Sequence, residues 1–385
     1  MKAIVASGAY LPEAVPGPVT VVLDGDRITS IWRDIDAAGA RLRLAEGEVV
    51  EDVGPAALAP GFIDVHVHGS FGYDLMSGTT EDVHAMATKL PATGATAFFA
   101  TIASSSPADT LRQVERIAAA ARTPAGAQIV GVRLEGPFIS RSKRGAQPEE
   151  AIRPPDIDEL ERLVAAGEGL VRMIDFAPEE DLDGSLLTAA LRLGLKACVG
   201  HTAATYTQAL AALDGGARHC THLFNAMPAM GHREPGPVGL FLTDPRPTVE
   251  VIADGIHLHP ATLRLVMAAR GSRSTALVTD AVAPGGLSDG DYDLLARRVT
   301  VRDGAVRLPD GTLAGSTLTL DRAVRNAVRL AGASWQDAVR MATSTPASIA
   351  GLPDRGRIAV GMVADLCALS PEGEVVATWC RGQRC

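Results

Sequence analysis

Two histidines one residue apart close an apolar stretch, Pro60-Gly61-Phe62-Ile63-Asp64-Val65-His66-Val67-His68-Gly69. Side chains two apart in a strand share a face, so His66 and His68 address one space and suit a pair of metal ligands. Taken alone, the pair also fits one core histidine bonded to backbone and one solvated one. Other candidates obey the same rule, each closing or following an apolar run: Glu135, His201, His222 and Asp280. A carboxylate in such a place is costly to bury unless it is paired, hydrogen-bonded or bound to a cation. One metal accounts for several of these residues at once. Glu135, His201 and His222 make a two-histidine, one-glutamate set that suits a catalytic zinc with an open position for water. His66 and His68 would complete a second site, with Glu135 as a bridge. A carboxylate at Asp280, beside an activated water, can accept its proton and later return it to a leaving group. A helix N-cap or a buried ion pair are the other roles open to it.

These residues need a scaffold that brings distant strand ends together. Eight apolar strand candidates run over 62–66, 95–101, 129–134, 171–177, 196–201, 220–224, 249–253 and 275–279. Most are followed by a helix-like run. The clearest is 107–121, with Ser106 as cap and Pro107 in the first turn; 205–213 and 260–269 are similar. Continuous apolar strands alternating with helices indicate a parallel sheet covered on both faces, and eight units indicate a (β/α)8 TIM-like barrel. A doubly wound open sheet is the alternative, but no GxGxxG follows the first strand. In such barrels reactive residues lie at the C-terminal strand ends, where all these candidates fall. The first 56 residues hold short β-like pieces, including Thr20 to Leu23 and Arg27 to Trp32 around a turn at Asp24-Gly25-Asp26. The C-terminal runs 361–369 and 374–379 match them. The expected organisation is a small composite β-sandwich from residues 1–56 and 355–385, bracketing a metal-dependent barrel over 57–354.

Composition narrows the partners. The chain has 385 residues, 46% hydrophobic and 21% charged, with net charge −9, which describes a globular protein without a basic nucleic-acid face. No apolar run approaches the roughly 20 residues of a membrane span. Five cysteines, with no CxxC pair, indicate a reduced, cytoplasmic protein.

Further motifs narrow the chemistry: LEGPF at 134–138, APE at 177–179, GHTAATY at 200–206, THLFNAMPAM at 221–230, REPG at 233–236, ADGIHL at 253–258, VTDAV at 278–282 and LAGSTLTL at 313–320. With the first histidine stretch, they make the chain resemble the amidohydrolase superfamily and, within it, the N-acetylglucosamine-6-phosphate deacetylases. The resemblance implies the barrel with its terminal β-sandwich and a divalent metal on Glu135, His201 and His222, with Asp280 as proton shuttle. It implies one or two metals per chain, zinc first, with iron, manganese or cobalt as alternatives; both His66 and His68 are present, so a binuclear site is open. It further implies a phosphorylated amino sugar as substrate, met by Asn225, Ala226 and His257, by backbone of Leu313, Ala314 and Gly315, and by Ala146 and Gln147. Arg233 would reach the phosphate, in a homodimer even across to the neighbouring site. Other N-acetylated substrates are the alternatives: N-acetylgalactosamine 6-phosphate or an N-acyl-D-amino acid. Cyclic-amide hydrolysis is disfavoured because 176–179 offers no lysine. A non-catalytic barrel scaffold would have no need of Glu135, His201, His222 and Asp280 together.

One position departs from the family pattern. Gln147 stands where a substrate-binding histidine is expected, and an amide hydrogen-bonds but carries no charge. Lys143 and Arg144 beside it read as a solvated loop tip. His84 reads as surface, and His219 should face away from His222 by strand parity. His232 and His259 receive no role, and Phe224, Met227 and Met230 read as packing.

Overall fold

The computed structural model describes residues 1–11, 14–294 and 297–385. Its centre is a parallel sheet of eight strands in sequence order: β1 (Phe62–Val67), β2 (Ala95–Ala103), β3 (Gln128–Glu135), β4 (Val171–Phe176), β5 (Lys196–Val199), β6 (His219–Cys220), β7 (Thr248–Ile252) and β8 (Thr275–Val278). The sheet closes just above β1 and β8. Asp280 N donates to His66 O at 2.9 Å, His68 N donates to Ala281 O at 2.8 Å, and Val67 bridges Ala281. The fold is therefore the expected α/β barrel, and each strand is buried along nearly its whole length.

Local chemistry explains the elements. The helix Pro107–Ala121 starts where Ser106 accepts a hydrogen bond from Asp109 N, with Pro107 at the first position, and buries Thr110, Val114, Ile117 and Ala118 at helical spacing. One expected strand is much shorter than its apolar run. β6 ends at Cys220, not at 224, because His222, Phe224 and Ala226 all take positive φ, which an extended strand does not allow.

The chain ends share one sheet. Lys2–Tyr10 pairs with Ala14–Asp24, with Val49–Asp52 and with Ala57–Pro60, and the last of these pairs with Leu366–Leu369, which pairs with Val375–Cys380. This sheet closes over its own core, where Ile4, Val21, Ile28 and Leu58 meet Leu366 and Trp379. The Trp379 indole donates to Glu51 at 2.8 Å, tying the last segment to the first.

A third sheet has no counterpart in the sequence reading. Strands Gly290–Leu294, Arg297–Arg302, Ala305–Arg307 and Leu313–Ser316 form an antiparallel flap after β8, packed on Val299, Val301 and Val306. Their alternation of exposed and buried residues over three to six positions is too short to stand out from loop. His84, expected at the surface, is half-buried and bonds Ala120 O at 2.9 Å, joining two barrel helices.

Candidate metal centre

Four imidazoles and two carboxylates converge at the C-terminal mouth of the barrel. His66 comes from β1 and His68 from the residue after it; Glu135 ends β3; His201, His222 and Asp280 follow β5, β6 and β8. All six are nearly or fully buried. His201 Nε2 lies 3.1 Å from His222 Nε2 and 3.1 Å from Glu135 Oε1, and His222 Nε2 lies 3.2 Å from the same oxygen. His66 and His68 Nε2 are 3.2 Å apart, at 3.5 and 3.4 Å from Asp280 Oδ1. Glu135 spans both groups, its Oε1 3.2 Å from His66 Nε2 and its Oε2 3.2 Å from His68 Nε2.

This donor set fits divalent metal. Ligands about 2.0–2.1 Å from a tetrahedral zinc stand roughly 3.3 Å from one another, which is the spacing within each triad. Two facing Nε2 atoms hydrogen-bond only if one imidazole gives a proton, whereas a cation takes both lone pairs. Among the described residues the Nδ1 atoms of His68 and His222 have no hydrogen-bond partner, so those rings face the site through Nε2. Burial alone would lower the proton affinity of His68, but the charge of Glu135 and hydrogen bonds to Asp280 and Glu135 outweigh it and push it up to about 9. Glu135 is pushed up by burial, yet the charges of His66, His201 and His68 hold it well below the usual carboxylate range. Asp280 is likewise lowered by His66 and by its bond to His68, against burial, so its carboxylate is ionised.

The backbone that presents the ligands is unusual. His201, His222 and Asp280 have φ of 47°, 24° and 47°, a region that L-residues occupy at a cost. Neighbouring elements hold these turns. Ser316 N from the flap donates to Asp280 O at 2.8 Å, and Gly315, at φ 67°, has no room for a Cβ, which would lie 2.9 Å from that oxygen. Thr202 N donates to Ala226 O at 3.1 Å, and the Thr202 hydroxyl to Glu179 at 2.5 Å.

Above the ligands opens a cavity of about 280 Å³ lined by Ala146, Gln147, Asn225, Ala226, His257 and the 313–315 segment of the flap, among others. His257 Nδ1 donates to Asp254 at 2.6 Å; burial lowers its proton affinity, but Asp254 raises it overall. Asn225 Nδ2 donates to His222 O at 3.1 Å. Gln147 is buried and bonded at both ends: its Nε2 donates to Glu135 Oε2 at 3.1 Å and its Oε1 accepts from Ser104 N at 2.9 Å. Arg233 does not line this cavity; it is exposed, beside His232.

The loop at 143–144 is no solvated tip. Lys143 is half-buried, its ammonium donates to Met227 O at 3.3 Å, and its carbonyl oxygen lies 2.8 Å from His201 Nδ1. His219 does not turn away from the site either. The turn after Cys220 breaks strand parity, and His219 points inward to Glu250 Oε1 at 2.7 Å.

A layer of charge beneath the ligands went unread in the sequence. Arg133 is fully buried and grips Asp175 through Nε and a terminal nitrogen at 3.0–3.1 Å, while its other nitrogen bonds Glu250. Thr221 accepts from the same guanidinium at 3.0 Å. Asp64, pushed up to about 6 by burial although Thr279 bonds it at 2.6 Å, sits under His66. The available signal was a single charge inside an apolar run, as in Val132-Arg133-Leu134, Ile174-Asp175-Phe176 and Val249-Glu250-Val251.

Comparison with known proteins agrees with this geometry. A family model described as the amidohydrolase family matches residues 57–385. The chain is 38% identical over 332 residues to the N-acetylglucosamine-6-phosphate deacetylase of Bacillus subtilis, covering 85% of this chain and 84% of that one. It is 35% identical over 354 residues to the N-acetylgalactosamine-6-phosphate deacetylase of Escherichia coli, covering 89% and 94%. The crystal structure of N-acetyl-D-glucosamine-6-phosphate deacetylase from Mycobacterium smegmatis superposes with a TM-score of 0.92 at 35% identity, over 100% of both chains.

Proposed function

This chain belongs to the amidohydrolase family and, within it, to the N-acetylglucosamine-6-phosphate deacetylases, and we propose that it hydrolyses N-acetylglucosamine 6-phosphate to glucosamine 6-phosphate and acetate. The observation that carries this reading is the convergence of two candidate ligand triads, both touched by Glu135, on a cavity that also holds Asp280 and His257. Glu135, His201 and His222 would hold one divalent ion; His66, His68 and Asp280 would hold a second. Such ions supply Lewis-acid activation of water and of the acyl oxygen.

The chain's own residues do the rest. Asp280 accepts a proton from the attacking water and returns it to the amine nitrogen as the carbon–nitrogen bond breaks, so acetate and a free amine leave. His257, oriented by Asp254 and raised in proton affinity, presents an N–H to the sugar or to oxygen charge developing on the acetyl group. Asn225, Ala226 and the backbone at 313–315 shape the sugar pocket around that amide. Gln147 and Ala146 wall the same pocket, with Gln147 also holding Glu135.

The finer assignments belong to the same reading. Zinc is the first choice of ion, since imidazole and carboxylate suit it, with iron, manganese and cobalt compatible. Arg233 is exposed and outside its own chain's cavity, so a phosphate role for it calls for a homodimer in which it serves the neighbouring site. Residues 57–354 are taken as the catalytic domain, and 1–56 with 355–385 as a composite β-sandwich, although strand Ala57–Pro60 pairs into the terminal sheet and Leu58 packs in its core. No helix among the described residues is long and apolar enough to cross a membrane, and four of the five cysteines are buried and free, which supports a cytoplasmic setting.

The galactosamine epimer is the second reading, supported by the Escherichia coli relative. Acetate release from the two N-acetylhexosamine 6-phosphates decides between them. Higher kcat/KM on the glucosamine compound is expected; a preference for the galactosamine compound would reassign the substrate, and no release from either would refute the deacetylase.

A further inference from the structure

Among the charges beneath the ligands, Glu250 stands apart because its two oxygens face different ways. Oε1 takes the Arg133 guanidinium and, at 2.7 Å, His219 Nε2. Oε2 points up to the candidate ligands, 3.2 Å from His66 Nδ1 and 3.2 Å from the backbone N of His222. Arg133 already has a two-oxygen partner in Asp175, so neutralising it does not require Oε2 to face the ligands. The carboxylate is fully buried on β7, and its own carbonyl accepts from Leu223 N at 2.9 Å, which fixes the turn carrying His222 against the same strand.

A carboxylate only accepts hydrogen bonds, so His66 must carry its proton on Nδ1 to satisfy Glu250. That leaves the Nε2 lone pair facing Glu135 and Asp280, as a metal ligand requires. No other candidate ligand ring is met at Nδ1 by a carboxylate among the described residues. His201 Nδ1 meets the Lys143 carbonyl, and among the described residues the Nδ1 atoms of His68 and His222 have no hydrogen-bond partner.

We propose that Glu250 is a positioning residue that fixes the tautomer and orientation of His66, and so sets the occupancy of the His66, His68 and Asp280 metal site, leaving the Glu135, His201 and His222 site nearly untouched. The proposal rests on the two-site reading above.

Zinc titration of chelator-stripped protein, followed by equilibrium dialysis and elemental analysis, tests it. Wild-type protein should take up two ions. Glu250→Gln should bind the weaker ion about 10- to 100-fold less tightly, with the tighter ion retained. Glu250→Asp keeps a charge beside Arg133 but withdraws the carboxylate by one methylene, and should show the same selective loss in protein whose thermal unfolding stays cooperative. In a His66→Ala background, Glu250→Gln should add no further loss, because the effect passes through that ring. Wild-type binding of two ions together with unchanged binding in both variants overturns the proposal alone, as does equal weakening of both sites or failure of both variants to fold. Wild-type uptake of fewer than two ions overturns the two-site reading, and the proposal with it.

Discussion

Arg133 and Glu135 lie two residues apart on β3, both inside the barrel and both buried, yet they meet opposite surroundings. Arg133 is met by Asp175 and Glu250, and burial of the carboxylate on Glu250 is outweighed by the guanidinium, which holds it well below its usual range. Glu135 and Asp280 have, among the described residues, only imidazoles as chargeable partners, with the neutral amide of Gln147 beside Glu135. The lower layer thus carries its own permanent countercharge. The upper layer is balanced by protons on histidine or by a bound cation, and exchanging one for the other is what a catalytic metal site requires. A layer closed by its own charges stabilises; a layer left open binds and reacts.

Emptying the upper layer should have the largest effect. Chelator-stripped protein should lose acetate release altogether and regain it with zinc or another divalent ion; full activity in verified metal-free protein would remove the distinction between the layers. Asp280→Asn should come next, lowering kcat by about 10²–10⁴-fold with KM little changed, metal content being measured on the same protein because Asp280 also stands in the second triad. A variant that keeps its metal and more than about a tenth of wild-type kcat would place the shuttle elsewhere.

The lower layer should respond in stability. Arg133→Met leaves Asp175 and Glu250 buried without their cation and should cost about 3–5 kcal/mol in urea unfolding. A loss under about 1 kcal/mol would mean that the lower layer is not held by charge. Arg233, outside both layers, should act on binding alone. Arg233→Ala should raise KM for the phosphorylated sugar roughly 10- to 150-fold, as loss of a charged hydrogen bond does, and spare the unphosphorylated one. Equal effects on both sugars would remove it from the phosphate site.

The mildest probe is pH. In stripped protein the proton affinity of His68 is raised from 6.5 to about 9, so its stabilising interaction is complete below pH 6.5 and fades as pH rises through about 9. Metal uptake displaces that proton, so affinity should climb over the same window. Stripped and zinc-loaded protein should therefore diverge in melting temperature from pH 6.5 to 9, and parallel curves would count against His68 as a ligand.

Much of this was readable without coordinates. Apolar runs ending in His66, Glu135, His201, His222 and Asp280 announced both strands and candidate ligands, because an ionisable group at the end of a buried strand needs a compensating partner. The helix at 107–121 was legible from its cap, its proline and its period. Arg133, Asp175, Glu250 and His219 went unassigned because a strand buried on both faces has no polar side to reveal which residues point inward. The flap was missed because its strands are short and half-exposed.

The order of strands, the chemical types of the candidate ligands and the family were all legible before any coordinates, since these depend on local pattern and residue identity. Tertiary structure alone decided which charges face each other. It brought Glu250 under His66 across 184 residues and set the flap against Asp280. It also turned His201, His222 and Asp280 into positive φ. Those arrangements depend on barrel closure, which joins the first strand to the eighth and holds backbone angles that an isolated segment would relax.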